Sequence, residues 1–205
     1  MSETNGDGAF SILMVCTGNI GRSPMMERLM KHELARHSAP PQVHVSSAGT
    51  WGQEGQPMEP GASHALAALG VDAASFGATS LTAEAVAASD LILVATRDHR
   101  RAVVGLVPSV VRRAFTMREL ARIAQFVSPR EVPHNSGAES VEQMREAVAW
   151  AAQLRGSVPR PDRDDDDDLS DPLGASDAIY AERAEVIAVS VERIVPYLLG
   201  ESQAG

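Results

Sequence analysis

Cys16 and Arg22, with Thr17, Gly18, Asn19, Ile20 and Gly21 between them, are the residues of this sequence best equipped for chemistry. Cys16 is the chain's single cysteine. A thiolate is a strong nucleophile, and a guanidinium fork grips two oxygens of a tetrahedral anion at once, which a lysine cannot do. Ser23 can donate a hydrogen bond to the sulfur, and Asn19 can hold the loop through backbone contacts. The pairing suggests sulfur attack on an oxyanion cradled by Arg22 and by loop N–H groups.

Such a loop works only if its flanks fix it. The apolar run after Phe10, through Ile12, Leu13, Met14 and Val15, predicts a short buried strand of a parallel sheet over 11–15. Ser23 and Pro24 read as a helix opening. Gly18 and Gly21 are expected to supply the sharp turn and the close approach to a ligand. A strand that ends in a loop and a helix N-terminus makes an anion nest, and its field favours the thiolate form of a cysteine.

The rest of the chain alternates. Strands are expected near 11–15, 43–47, 90–95 and 112–116. Helices are expected near 24–37, 60–69, 82–88, 98–105, 117–124, 139–155 and 176–199. Met26, Leu29, Met30 and Leu34 give the first helix an apolar face at helical spacing, read as core. The implied class is α/β: three layers, a four-stranded parallel sheet with helices on both faces, and a site at the carboxyl ends of the strands.

The stretch from Val15 to Pro24, Val-Cys-Thr-Gly-Asn-Ile-Gly-Arg-Ser-Pro, resembles the phosphate-binding loop of low-molecular-weight protein tyrosine phosphatases. Weaker likeness runs on through Ser46–Thr50, Pro57–Asp72, Ser89–Val94 and Asp171–Gly174. The resemblance implies a flavodoxin-like fold and a hydrolase acting through phosphocysteine, with no cofactor and no metal. Cys16 would be the nucleophile and Asp171 the general acid and base. Arg22 and the backbone from Thr17 to Ser23 would bind phosphate. Because Cys16 must be ionised while Asp171 is protonated, a bell-shaped profile on the acid side of neutrality is expected.

Departures from the family pattern are specific. Gly21 stands where many members carry a second cysteine, so no protective disulfide can form in the loop. Leu173 and Gly174 replace aromatics that often follow Asp-Pro, which leaves Trp51 as the candidate aromatic wall of the substrate rim, with Leu173 beside it. Phe76 and Thr79 stand where the family often has a histidine and an arginine. Ile20 favours phosphotyrosine, in a protein or peptide, over phosphoarginine, whose phosphatases typically have threonine there. Two alternatives share the loop: an arsenate reductase that uses a small external thiol, and a module that binds phospho-ligands without turnover.

Composition bounds the rest. At 205 residues one domain over 9–200 is expected, after a flexible stretch over 1–8 and with an insertion at about 125–170. A net charge of −9 argues against nucleic acid as a partner. No apolar run approaches the roughly 20 residues of a membrane span. One cysteine and a polar start agree with a reducing, cytoplasmic setting, although export without a signal stays compatible; a monomer is expected. The six histidines show no metal-ligand spacing. The run Asp164–Asp168 reads as a solvated, mobile loop whose charge repels acidic substrates.

Overall fold

The structure, a computed structural model, describes residues 8–37, 39–127 and 141–201. The expected flexible start falls on residues 1–8, of which 1–7 lie outside the described residues, as do 128–140 of the expected insertion. Among the described residues, four strands form one parallel sheet: β1 (Phe10–Cys16), β2 (Val43–Gly49), β3 (Leu91–Val94) and β4 (Ala114–Thr116), in the order β2-β1-β3-β4. The helices described with them are α1 (Arg22–Arg36), α2 (Pro60–Ala68), α3 (Ala83–Ala88), α4 (Arg97–Leu106), α5 (Met117–Phe126), α6 (Val141–Leu154) and α7 (Asp177–Leu199).

Alternation along β1 explains why its run is apolar almost throughout. Phe10, Ile12, Met14 and Cys16 point to one face, into a large core with α1, α2, α5, α6 and α7. Leu13 and Val15 point to the other, into a smaller core closed by Val86 of α3, Val103 of α4 and Val110. A strand buried on both faces has no solvent side to make polar. The apolar positions read in α1 are buried as expected. So are Val141, Met144, Ala147, Val148 and Ala151 of α6, whose Ala147 carbonyl accepts from the Tyr197 hydroxyl of α7 at 2.8 Å.

Strand order positions the site. β1 lies inside the sheet between β2 and β3, and the chain reverses direction around it. The carboxyl ends of β1, β2 and β3 therefore open into one crevice, where open α/β sheets bind ligands. Helix and strand bounds shift by a residue or two from the sequence reading. β4 is shortened to Ala114–Thr116 because Pro108–Arg112 forms a 3₁₀ turn. Among the described residues, no helix is long and apolar enough to cross a membrane.

The acidic run is the main correction. Residues 164–167 form a 3₁₀ turn. Asp167 accepts both forks of Arg122, at 2.7 and 3.2 Å, with both side chains largely buried. Asp168 Oδ1 accepts the Arg97 backbone N–H at 2.8 Å, at the start of α4, and its carboxylate pairs with the Arg97 guanidinium. Arginines 71 and 45 residues away convert a like-charge block into a fastened strap.

Candidate active site

β1 ends at Cys16 and α1 begins at Arg22, so the loop between them is a strand-to-helix turn. Its carbonyls turn outward. Those of Cys16, Thr17, Gly18 and Ile20 accept N–H bonds from Thr50, Trp51, Gln53 and Glu59, at 2.7–3.0 Å. Among the described residues, the N–H groups of 17–21 donate to no protein acceptor, which leaves them for an anion. The sharp turn, however, is made neither by Gly18 nor by Gly21. It is made by Asn19, with φ 57°, in the left-handed region that asparagine tolerates best after glycine.

Asn19 stays there because its amide is fully used. It is buried, its Nδ2 donates to Ser23 Oγ and Ser47 Oγ, both at 2.9 Å, and its Oδ1 accepts the Thr79 N–H at 2.8 Å. Ser47 in turn donates to Glu27 at 2.5 Å, and Glu27 pairs with Lys31. Ser23 Oγ lies 2.9 Å from Cys16 Sγ, and Cys16 is 2 % exposed. The sulfur is thus held at the end of a polar chain that runs back through the loop to the surface of α1. Thr79 supports the loop by its backbone and by a 2.9 Å bond from its hydroxyl to the Ser47 carbonyl. Phe76 packs against the large core.

The close approach that does require glycine is Gly49, at the end of β2. A Cβ there would lie 2.4 Å from the Thr17 carbonyl oxygen and 2.9 Å from the Asn19 nitrogen. Both are backbone atoms of the anion loop, so the loop itself must move. Gly49→Ala is expected to lower kcat/KM by about 10²-fold, the cost of misplacing reacting groups by about an ångström. Steady-state kinetics on an aryl phosphate checks this, and retained wild-type kinetics would contradict it.

Arg22 and Asp171 meet across the crevice. Arg22 is 5 % exposed by side chain, and its Nη2 donates to Asp171 Oδ2 at 2.5 Å and to Thr17 Oγ1 at 3.3 Å. Its Nη1 donates to the Leu169 carbonyl at 3.1 Å. Leu169 is buried, and its N–H donates to the Ala95 carbonyl at the end of β3. The strap fastened at Asp167 and Asp168 therefore delivers Asp171 to the pocket. The Leu173 N–H donates to Asp171 Oδ1 at 3.1 Å and orients the half-exposed carboxyl.

The pocket has a volume of about 230 Å³. That is less than the roughly 300–1,000 Å³ of sites for drug-sized ligands, and it suits one phosphorylated side chain. Cys16, Thr17, Gly18, Ile20, Gly21, Arg22 and Asp171 line it. Trp51 and Leu173, 82 % and 60 % exposed, stand at its lip. The sequence-predicted residues thus come together, apart from Asn19 and Ser23, which lie behind the loop as supports. Glu59 and Tyr180 also line the pocket and were missed by sequence reasoning. Burial, and then the carboxylates of Glu59, Asp171 and Asp177, push the Tyr180 hydroxyl above its ordinary pKa. Among the described residues, no group of three or more His, Cys, Asp or Glu is placed to hold a metal ion.

His99 was also missed. It is buried against Thr17 and Thr96, and burial, then the Arg22 charge, lower its pKa to about 4. The folded state holds the neutral ring, whereas the unfolded chain takes up a proton near 6.5. His99 therefore contributes stability that is complete above pH 6.5 and is lost as pH falls towards about 4. The drop in melting temperature over that interval is expected to be smaller in His99→Gln than in wild type, since carboxylate titrations are common to both. An equal drop would contradict it.

Comparison with known proteins gives concordant results. A family model for low molecular weight phosphotyrosine protein phosphatase matches residues 11–153. A probable low molecular weight protein-tyrosine-phosphatase of Ralstonia nicotianae is 31 % identical over 146 residues, 71 % of this chain and 96 % of that protein. A protein-arginine-phosphatase of Bacillus subtilis is 32 % identical over 108 residues, 53 % of this chain and 70 % of that protein. The crystal structure of a tyrosine phosphatase of Erwinia amylovora superposes with a TM-score of 0.63 at 25 % identity, covering 93 % of both chains.

Proposed function

Because the chain belongs to the low molecular weight phosphotyrosine protein phosphatase family, we propose that it hydrolyses phosphotyrosine in proteins, with Cys16, Arg22 and Asp171 as its catalytic residues. The observation that carries this reading is the shared pocket. The Cys16 sulfur, the Arg22 fork and the Asp171 carboxyl converge on it from β1, α1 and the strap.

The chemistry runs in two displacements. Cys16 Sγ attacks phosphorus, and an S–P bond forms as the P–O bond to the tyrosyl oxygen breaks. Arg22 and the free loop N–H groups hold the equatorial oxygens, where charge spreads in the transition state. A phosphoryl group competes with Asp171 for Arg22 Nη2, which releases the carboxyl towards the leaving oxygen. Freed from Arg22 and half-exposed to solvent, the carboxyl takes a proton from water and gives it to that oxygen. It then takes a proton from water as water attacks phosphorus, the S–P bond breaks, and phosphate leaves. Ser23, 2.9 Å from the sulfur, stabilises the thiolate as it is regenerated.

The lip of the pocket supports an aromatic substrate. Trp51 and Leu173 stand exposed there, and the buried Ile20 also lines the pocket. A flat apolar ring buries area against Trp51 and against the aliphatic Leu173 and Ile20 alike, whereas a guanidinium stacks on Trp51 but gains little from the aliphatic pair. With matched peptides, kcat/KM for phosphotyrosine is expected to exceed that for phosphoarginine by at least about tenfold, the scale on which apolar pockets discriminate. The reverse preference would move the chain to the arginine-phosphatase branch represented by the Bacillus relative.

A further inference from the structure

We propose that His99, which no step of the reaction above uses, is a positioning residue: it holds the Thr17 hydroxyl against the Arg22 guanidinium and so fixes the fork that grips the phosphoryl oxygens. The inference rests on the phosphatase reading for its kinetic consequence, but not for its hydrogen-bond chain.

His99 lies in the first turn of α4, whose N-cap is Thr96. Its Nδ1 is 2.7 Å from Thr96 Oγ1, and its Nε2 is 2.9 Å from Thr17 Oγ1. One direction is fixed: Arg22 Nη2 can only donate, so Thr17 Oγ1 accepts from it. The other two depend on the His99 tautomer. In the proposed chain the Thr17 hydroxyl proton goes to His99 Nε2 and the ring's own proton sits on Nδ1, from which it goes to Thr96 Oγ1, an oxygen that also accepts the His99 backbone N–H. Arg22, Thr17, His99 and Thr96 form a chain with every donor pointing the same way, an arrangement in which each bond polarises the next.

The importance of the chain lies in what else holds Arg22. Nη1 is fixed on the Leu169 carbonyl, and Nη2 is shared between Asp171 and Thr17. Once a phosphoryl group draws Nη2 from Asp171, Thr17 is the protein partner left to that nitrogen, and His99 decides where the Thr17 lone pairs point. The charged groups facing the ring are Arg22, Asp171, Asp98 and Asp168. Burial and the Arg22 cation outweigh the three carboxylates and keep the ring neutral down to about pH 4. Nε2 therefore remains an acceptor across the range in which the enzyme would work.

The test combines kinetics with nitrogen NMR of the intact protein. His99→Ala, Thr17→Val and the double variant are assayed on an aryl phosphate, with Thr17→Ser as the conservative rescue. Each single variant is expected to lose about ten- to a hundredfold in kcat with KM little changed, as for a misaligned transition-state contact. The double variant is expected to be no slower than the slower single, and Thr17→Ser to restore most of the rate. In the wild type, labelled His99 is expected to carry its proton on Nδ1, with Nε2 unprotonated. Full activity in His99→Ala, losses that multiply in the double variant, or a proton on Nε2 would each overturn the proposal. If His99→Ala does not fold, the Thr17 pair and the wild-type spectrum decide. A folded wild type without hydrolysis overturns the phosphatase reading, and the spectrum still decides the chain.

Discussion

Cys16→Ser is expected to lose aryl phosphate hydrolysis by at least about 10⁴-fold, since loss of a covalent nucleophile removes most of an enzyme's rate enhancement. The size of the effect follows from the neighbours of Sγ. Its hydrogen-bond partner is Ser23 Oγ, which cannot serve as a general base. The nearby His99 ring is engaged by Thr17 and Thr96. A thiolate attacks without a base, whereas a serine hydroxyl needs one to take its proton, and this site offers none. The substitution replaces a buried sulfur by an oxygen of similar shape, so folding should be nearly unchanged. Circular dichroism alongside steady-state kinetics checks both halves. Residual activity within tenfold of wild type would remove Cys16 from the nucleophile's role.

Asp171→Asn is expected to cost about 10²–10⁴-fold in kcat, the usual range for general acid–base catalysis. The loss should depend on the leaving group. Phenyl phosphate leaves as a basic phenolate that needs a proton, so its rate should suffer most. Para-nitrophenyl phosphate leaves as a stable anion, so its rate should suffer less. The Asp171 carboxylate accepts from Arg22 Nη2 at Oδ2 and from the Leu173 N–H at Oδ1. The introduced amide has one oxygen and keeps one of these contacts, so the dependence on the leaving group, which a lost contact alone does not produce, isolates the missing proton. Equal losses on both substrates would point to a structural role for Asp171 instead.

How much of this was legible in the sequence depends on the distance over which each residue is held. The loop was legible because its determinants are local: an apolar run, a cysteine, and a Ser-Pro helix opening within fifteen residues, from Phe10 to Pro24. The alternating elements were legible because a doubly buried strand must be apolar and an amphipathic helix must repeat. Asp171 was legible only through family resemblance, since an Asp-Pro pair is by itself an ordinary turn. The αL residue was misread: glycine is the default at positive φ, but here a buried amide with three partners holds Asn19 there. The acidic run was misread for a related reason. Its counter-charges, Arg97 and Arg122, lie far back in the chain, and local composition shows only repulsion. His99 was passed over because its partner Thr17 is 82 residues away. Site supports of this kind arise from tertiary contact and leave no local spacing to find.

The central claim is that phosphate passes through sulfur. The direct measurement is acid quench within milliseconds of mixing the reduced wild type with a phosphotyrosine peptide, followed by mass analysis of the peptide that contains Cys16. A phosphoryl group on Cys16, present during turnover, absent in Cys16→Ser and accumulating in Asp171→Asn with a good leaving group, is the expected result. Turnover with no phosphoryl group on Cys16 would contradict the account. So would an enzyme that leaves the peptide untouched while reducing arsenate with a small thiol, or one that binds the peptide and returns it unchanged.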